Sequence, residues 1–174
     1  MKTHQFALTM LVAAMTTSLA ASQKQSVGTK PPAEQSHFGS EEEIDRPIAA
    51  PEEVVQTIRQ IHKGTSEVQA LWLQASEIHL DGSNEIDLIV VGTGSLRGAH
   101  VVPFWVFRKK QTSYELVLAT GGDALSVLKT RSKGFREIDA YGIGLAGAGI
   151  TTTTFKFDGQ RYQRFETKTE SNNP

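Results

Sequence analysis

Over most of its length the chain alternates apolar and polar residues with a period of two, and glycine clusters break the pattern. Period-two alternation rich in Val, Ile, Thr and aromatic residues predicts strands with one buried face. From Glu67 onward it predicts strands over 70–80, 86–92, 103–108 and 114–120. A second series follows over 125–130, 135–142, 150–157 and 161–166. Asp158-Gly159 between two alternating runs is a strong hairpin signal, and Gln111-Thr112-Ser113 a weaker one. Leu, Gln and Glu within 70–78 also suit helix, so both readings stay open there. One window differs. Over 51–63, Val54, Val55, Ile58 and Ile61 recur at helical spacing and form one apolar stripe. Pro51 suits a first helical turn, Glu52 and Glu53 suit the positive N-terminus, and Gly64 is a natural stop.

The two strand series resemble each other. Glu85-Ile86-Asp87 matches Glu137-Ile138-Asp139, a glycine loop follows each, and Tyr114 matches Tyr162. The period is about fifty residues, and two units are too few for a closed propeller. The expected fold class is mainly β (α+β): an antiparallel meander of about seven to eight strands, read as two similar four-strand units. The single N-terminal amphipathic helix packs on the sheet.

Composition narrows the function classes. The 174 residues suit one domain with appendages. Charge is nearly balanced, with 18 basic and 19 acidic residues, so the basic excess of a nucleic-acid binder is missing. With no cysteine, disulfides, thiolate metal sites and a cysteine nucleophile are excluded. Lys2 and His4, then an apolar run over 6–15, then Ser18-Leu19-Ala20, read as a signal peptide over 1–20 cut near Ala20. No other apolar run approaches membrane-spanning length, so the mature form is expected to carry no transmembrane segment. Residues 21–48 are rich in Ser, Gln, Glu, Pro and Gly and read as a disordered linker. The folded domain is then expected over 49–167, with a disordered tail over 168–174.

Five stretches carry candidate chemistry. The turn before Asp87 places His79, Asp81, Ser83 and Asp87 where alternate side chains of a calcium loop converge. His and Ser are poor calcium ligands and the expected glycine is Asn84, so the turn reads as a decayed loop and no metal is assigned. Gly142-Ile143-Gly144-Leu145-Ala146-Gly147 fits a dinucleotide fingerprint, but the β-branched run Ile150–Phe155 follows where a helix is required, so no cofactor is expected. The loop Gly92–His100 carries Arg97 and His100, and loops on a rigid sheet concentrate binding residues. Ser95, His100 and Asp123 lack the spacing of a hydrolytic triad. Lys129, Arg131, Lys133 and Arg136 could grip a polyanion. Alternation puts Phe104 with Val106, and Trp105 with Phe107, on opposite faces of one strand; one face must be core and the other is a candidate glycan platform.

Four elements together resemble uncharacterised secreted bacterial β domains. They are an FG-GAP-like (integrin-type repeat) turn, degenerate here, at Asp81–Asp87; a P-x-W-x-F strand at Pro103–Phe107; the segment Thr130–Ile138; and a closing hairpin at Phe155–Tyr162. The likeness runs from about Ala70 to Phe165 and implies a mainly β fold without an assigned activity. Some of those domains carry cysteines before the P-x-W strand, and this chain has none. Taken together, the expectation is a secreted or periplasmic, non-catalytic binding module for an envelope polymer or protein. Its binding residues would be Arg97, His100, Lys129, Arg131, Lys133 and Arg136. A secreted inhibitor of a lysozyme or protease is the alternative.

Overall fold

The computed structural model describes residues 34–62, 67–98, 101–144 and 149–170. The expected signal segment lies outside them, as do Gly64, His100 and Leu145–Gly147 of the second glycine motif. The fold is mainly β, with ten strands among the described residues, in two five-stranded antiparallel sheets. The first sheet runs in the order β2 (Ile48–Ala49), β3 (Leu73–Ile78), β4 (Asp87–Gly92), β5 (Val102–Lys110), β6 (Ser113–Gly122). The second runs β1 (His37–Gly39), β7 (Ala124–Ser132), β8 (Phe135–Ile143), β9 (Ile150–Phe157), β10 (Tyr162–Glu170). Each expected series of four strands therefore lies in its own sheet, and the chain is not one continuous meander. Residues 70–72 form a short 3-10 turn ahead of β3, so the open reading there resolves to strand from Leu73.

Of the two strands beyond the expected eight, β1 lies in the stretch expected to be linker and β2 straddles its end at residue 48. Phe38 is 2% exposed and sits between the sheets, with Ile44 buried near it. Two isolated apolar residues in a polar segment carry no periodicity, which is why composition alone reads as disorder. Residues 34–50 form a strap that adds β1 to β7 and then β2 to β3, tying the two sheets together. At the other terminus β10 continues to Glu170, through the first residues of the expected tail.

Asp123 alone separates β6 from β7, so one long run of chain bends and changes sheet. Bends of this kind make the corners of packed sheets. The Asp123 N–H donates to Tyr141 O at 2.7 Å, and Ser40 N–H donates to Asp123 O at 2.7 Å. Gly122 lies against the Tyr141 carbonyl so closely that a Cβ there would overlap it. The corner thus requires glycine.

The helix α1 (Glu52–Ile61) buries Val54, Val55 and Ile58 against the outer face of the first sheet. Leu88, Val90, Trp105 and Phe107 meet it there. Ile89, Val91, Phe104 and Val106 point the other way, into the core between the sheets. The alternation expected for Phe104–Phe107 is present, but both faces are core: Trp105 is 5% exposed and Phe107 0%. Burying three fully enclosed aliphatic side chains of α1 contributes about 1.5–3 kcal/mol each. Tyr114 and Tyr162 open the last strands of the two series, and each strand bulges three residues later, at Val117 and at Phe165.

Candidate functional site

The acidic turn is an internal brace. Asp87 is 1% exposed. Its Oδ2 accepts from Leu80 N–H at 3.0 Å and its Oδ1 from Lys109 N–H at 2.8 Å. Burial pushes its pKa above the usual carboxylate value, and the two backbone donors pull the other way. Asp81 accepts from Ser83 N–H, and Ser83 Oγ from Glu85 N–H, as turn residues do. His79 leans away: its N–H donates to Glu34 Oε2 at 2.8 Å, and its Nδ1 lies 2.9 Å from the same oxygen. Among the described residues no three His, Asp or Glu side chains converge as a metal set.

The cationic candidates divide. Arg136 Nη1 bonds Glu34 Oε1 at 2.6 Å, and its other nitrogens donate to the carbonyls of Leu128 and Val127. Arg131 donates to the carbonyls of Leu80 and Gly134. Both guanidiniums therefore tie the β7–β8 turn and the strap to the acidic turn. Lys129 and Lys133 are exposed. Arg97 is exposed at the opposite end of the molecule. Pairing of Val102 with Gly122 sets the loop after β4 beside the Asp123 corner, whereas pairing of Ser132 with Phe135 closes the basic turn at the far end of β7. One compact ligand cannot use both loops. Arg97 stands between two polar hollows of about 250 and 220 Å³, shared with Ser40, Glu41 and, in the smaller, Asp123. Gly94, at φ +53, lets this loop turn beneath the Trp72 ring, which would lie 2.7 Å from a Cβ there. Ser95 is exposed in the same turn, and Asp123 Oδ2 accepts from Ile143 N–H at 2.6 Å.

An ordered polar surface lies elsewhere. The outer face of the second sheet has no helix over it among the described residues. Cross-strand register places His37, Ser126, Asp139, Thr154 and Glu166 in one row across all five strands. Two neighbouring pairs are linked: His37 Nδ1 lies 2.6 Å from Ser126 Oγ, and Thr154 Oγ1 donates to Asp139 Oδ1 at 2.7 Å. Glu137 is 9% exposed, held by Lys156 at 3.4 Å and Thr130 at 2.9 Å. Tyr141 and His37 pack at 6.2 Å between ring centroids, and Phe165, 63% exposed, lies under the Lys156 ammonium. Five strands about 4.8 Å apart make this face about 19 Å wide.

The row holds a serine, an imidazole and, 3.8 Å from His37 Nε2, the carboxylate of Glu42. Acyl transfer needs a base that hands the proton on and donors aimed at a developing oxyanion. Here the serine sits on an open, flat sheet, and Glu42 is beyond hydrogen-bond distance. The base–carboxylate hydrogen bond of an acyl-transfer triad is therefore missing from this group. Sequence reading missed this face because His37 fell in the expected linker. The period-two pattern of β7–β9 marks a polar face but not whether anything covers it. Comparison of the chain with family models, with curated proteins and with solved structures gave no match.

Proposed function

We propose that this chain is a non-catalytic binding module, exported across the cytoplasmic membrane, that holds a polymer of the cell envelope on the outer face of its second sheet. One observation carries the reading: a five-strand polar row, linked in two places by side-chain hydrogen bonds, stands uncovered among the described residues, with the half-buried Tyr141 ring and the exposed Phe165 ring beside it. Pre-linked polar groups lose little conformational freedom on binding. Rings such as Tyr141 and Phe165 offer flat apolar contact to sugar faces, while Asp139, Thr154 and Glu166 offer hydrogen-bond partners to hydroxyls. The signal-like segment over 1–20 supports export, and N-terminal sequencing of the exported protein should begin at Ala21. Arg97, with its two hollows, is a second contact for a chain long enough to pass the Asp123 corner. Co-sedimentation with insoluble peptidoglycan and cell-wall polysaccharide tests the reading. The full chain should be retained, and the Tyr141→Ala/Phe165→Ala double variant should wash off. Passage of the unsubstituted chain through every such polymer would count against it.

A further inference from the structure

The two sheets have four edges, and three of them are guarded against another strand. β1 and β2 are three and two residues long, and very short edges give an incoming strand little to pair with. β10 presents nine residues, but it bulges at Phe165 and carries Arg164, Glu166, Lys168 and Glu170. Charge and bulges are the usual protection of an edge. β6 differs. Its centre is Leu116-Val117-Leu118-Ala119, with neither charge nor proline, and among the described residues no strand pairs with its free side. Its own bulge turns Val117 into the core, at 2% exposed, and limits pairing to a short run.

That free side opens into a groove of about 360 Å³. Phe155 and Tyr162 lie at its floor, and Arg161, Gln163 and Arg164 make the opposite wall. No acidic residue lines it. Neither the Arg161 nor the Arg164 side chain takes part in a hydrogen bond or ion pair among the described residues. Glu115, the nearest carboxylate along β6, is engaged by Lys110 at 3.1 Å and Arg108 at 3.7 Å.

We infer that the free edge of β6 is a docking site for an extended, acidic segment of a partner protein. The segment adds a short strand to Leu116–Ala119 and sets its carboxylates against Arg161 and Arg164. Main-chain pairing supplies affinity in such strand addition, and the flanking side chains supply selectivity. This site is separate from the polar face of the second sheet, so it stands or falls independently of polymer binding.

The test uses the full chain, labelled with nitrogen-15, and two synthetic octapeptides: one alternating valine with glutamate, its twin alternating valine with lysine. The acidic peptide should shift the amides of Leu116–Ala119, Gln163 and Arg164, and bind about tenfold more tightly than its twin at low salt, equivalent to about 1.4 kcal/mol. The Arg161→Glu/Arg164→Glu variant, altered only at exposed side chains, should keep its melting temperature and reverse that ranking. Equal binding of the two peptides, shifts confined to other surfaces, an acidic preference that survives charge reversal, or no shift at about 1 mM peptide, the weak end of measurable affinity, would each overturn the inference.

Discussion

The two sheets have similar strand content and opposite surroundings. The first is enclosed on both faces, by α1 on one side and by the second sheet on the other. Leu88–Val91 of β4 and Phe104–Phe107 of β5 are continuous apolar runs, and β4 is buried at every position. The second sheet buries only its inner face and leaves its outer face as an ordered polar row. The difference separates two tasks. The enclosed sheet carries stability, and the half-open sheet is free to carry contacts. A sheet face that stays polar but hydrogen-bonded side to side is ordered without being packed.

Substitutions break that comparison in a defined order. The largest loss is expected in the enclosed sheet: Phe107→Ala, at a fully buried position facing α1, should cost about 3–5 kcal/mol in urea unfolding. Next comes Asp87→Ala, which leaves the Leu80 and Lys109 N–H groups without their acceptor and should cost about 1–3 kcal/mol for each group that finds no other partner. Because burial raises the Asp87 pKa, the fold holds its proton more tightly than the unfolded chain does. Its contribution to stability is therefore full below the unfolded value of 3.8 and is lost as pH rises through the higher folded value. The slope above pH 3.8 should be present in the parent chain and absent from Asp87→Ala.

Smaller effects belong to the strap and to the turns. Glu34→Ala removes the carboxylate shared by Arg136 and His79, and should cost about 1–3 kcal/mol in the same unfolding assay. Asp158 works in the opposite pH sense. The N–H groups of Arg161 and Gln160 draw its pKa down to about 2, so its contribution exists above 3.8 and disappears as pH falls towards 2. Acid melts of Asp158→Ala should lack that last decline. Phe165→Ala, at an exposed position of the open face, should move stability least, within about 0.5 kcal/mol.

Much of this architecture was legible along the chain. All eight strands of the two series and α1 lie close to their expected places because period-two and helical patterning are strong signals over eight or more residues. The hairpin at Asp158-Gly159 is present, with the Asp158 carboxylate holding the turn. The strap was not legible: three- and two-residue strands have no period, and Phe38 and Ile44 stand six residues apart in a polar segment. The candidate site was legible only in part. A run of cations shows charge but not its partners, so Arg131 and Arg136 could not be told from Lys129 and Lys133 before their carbonyl acceptors were known. The two loops chosen as one site lie at opposite ends of the fold, a fact that depends on strand order and not on composition. The polar row of the second sheet needed both register and the location of the helix, and neither is written in any one segment.

The most direct test of the division between the sheets compares retention on insoluble envelope polymer with unfolding in urea for two variants. Tyr141→Ala/Phe165→Ala should lose retention while its urea midpoint stays with that of the parent chain, and Gln60→Ala, at an exposed position of α1 on the other sheet, should keep both. Retention unchanged in the double variant, or lost only in step with its stability, would contradict the assignment of the open face as the binding surface.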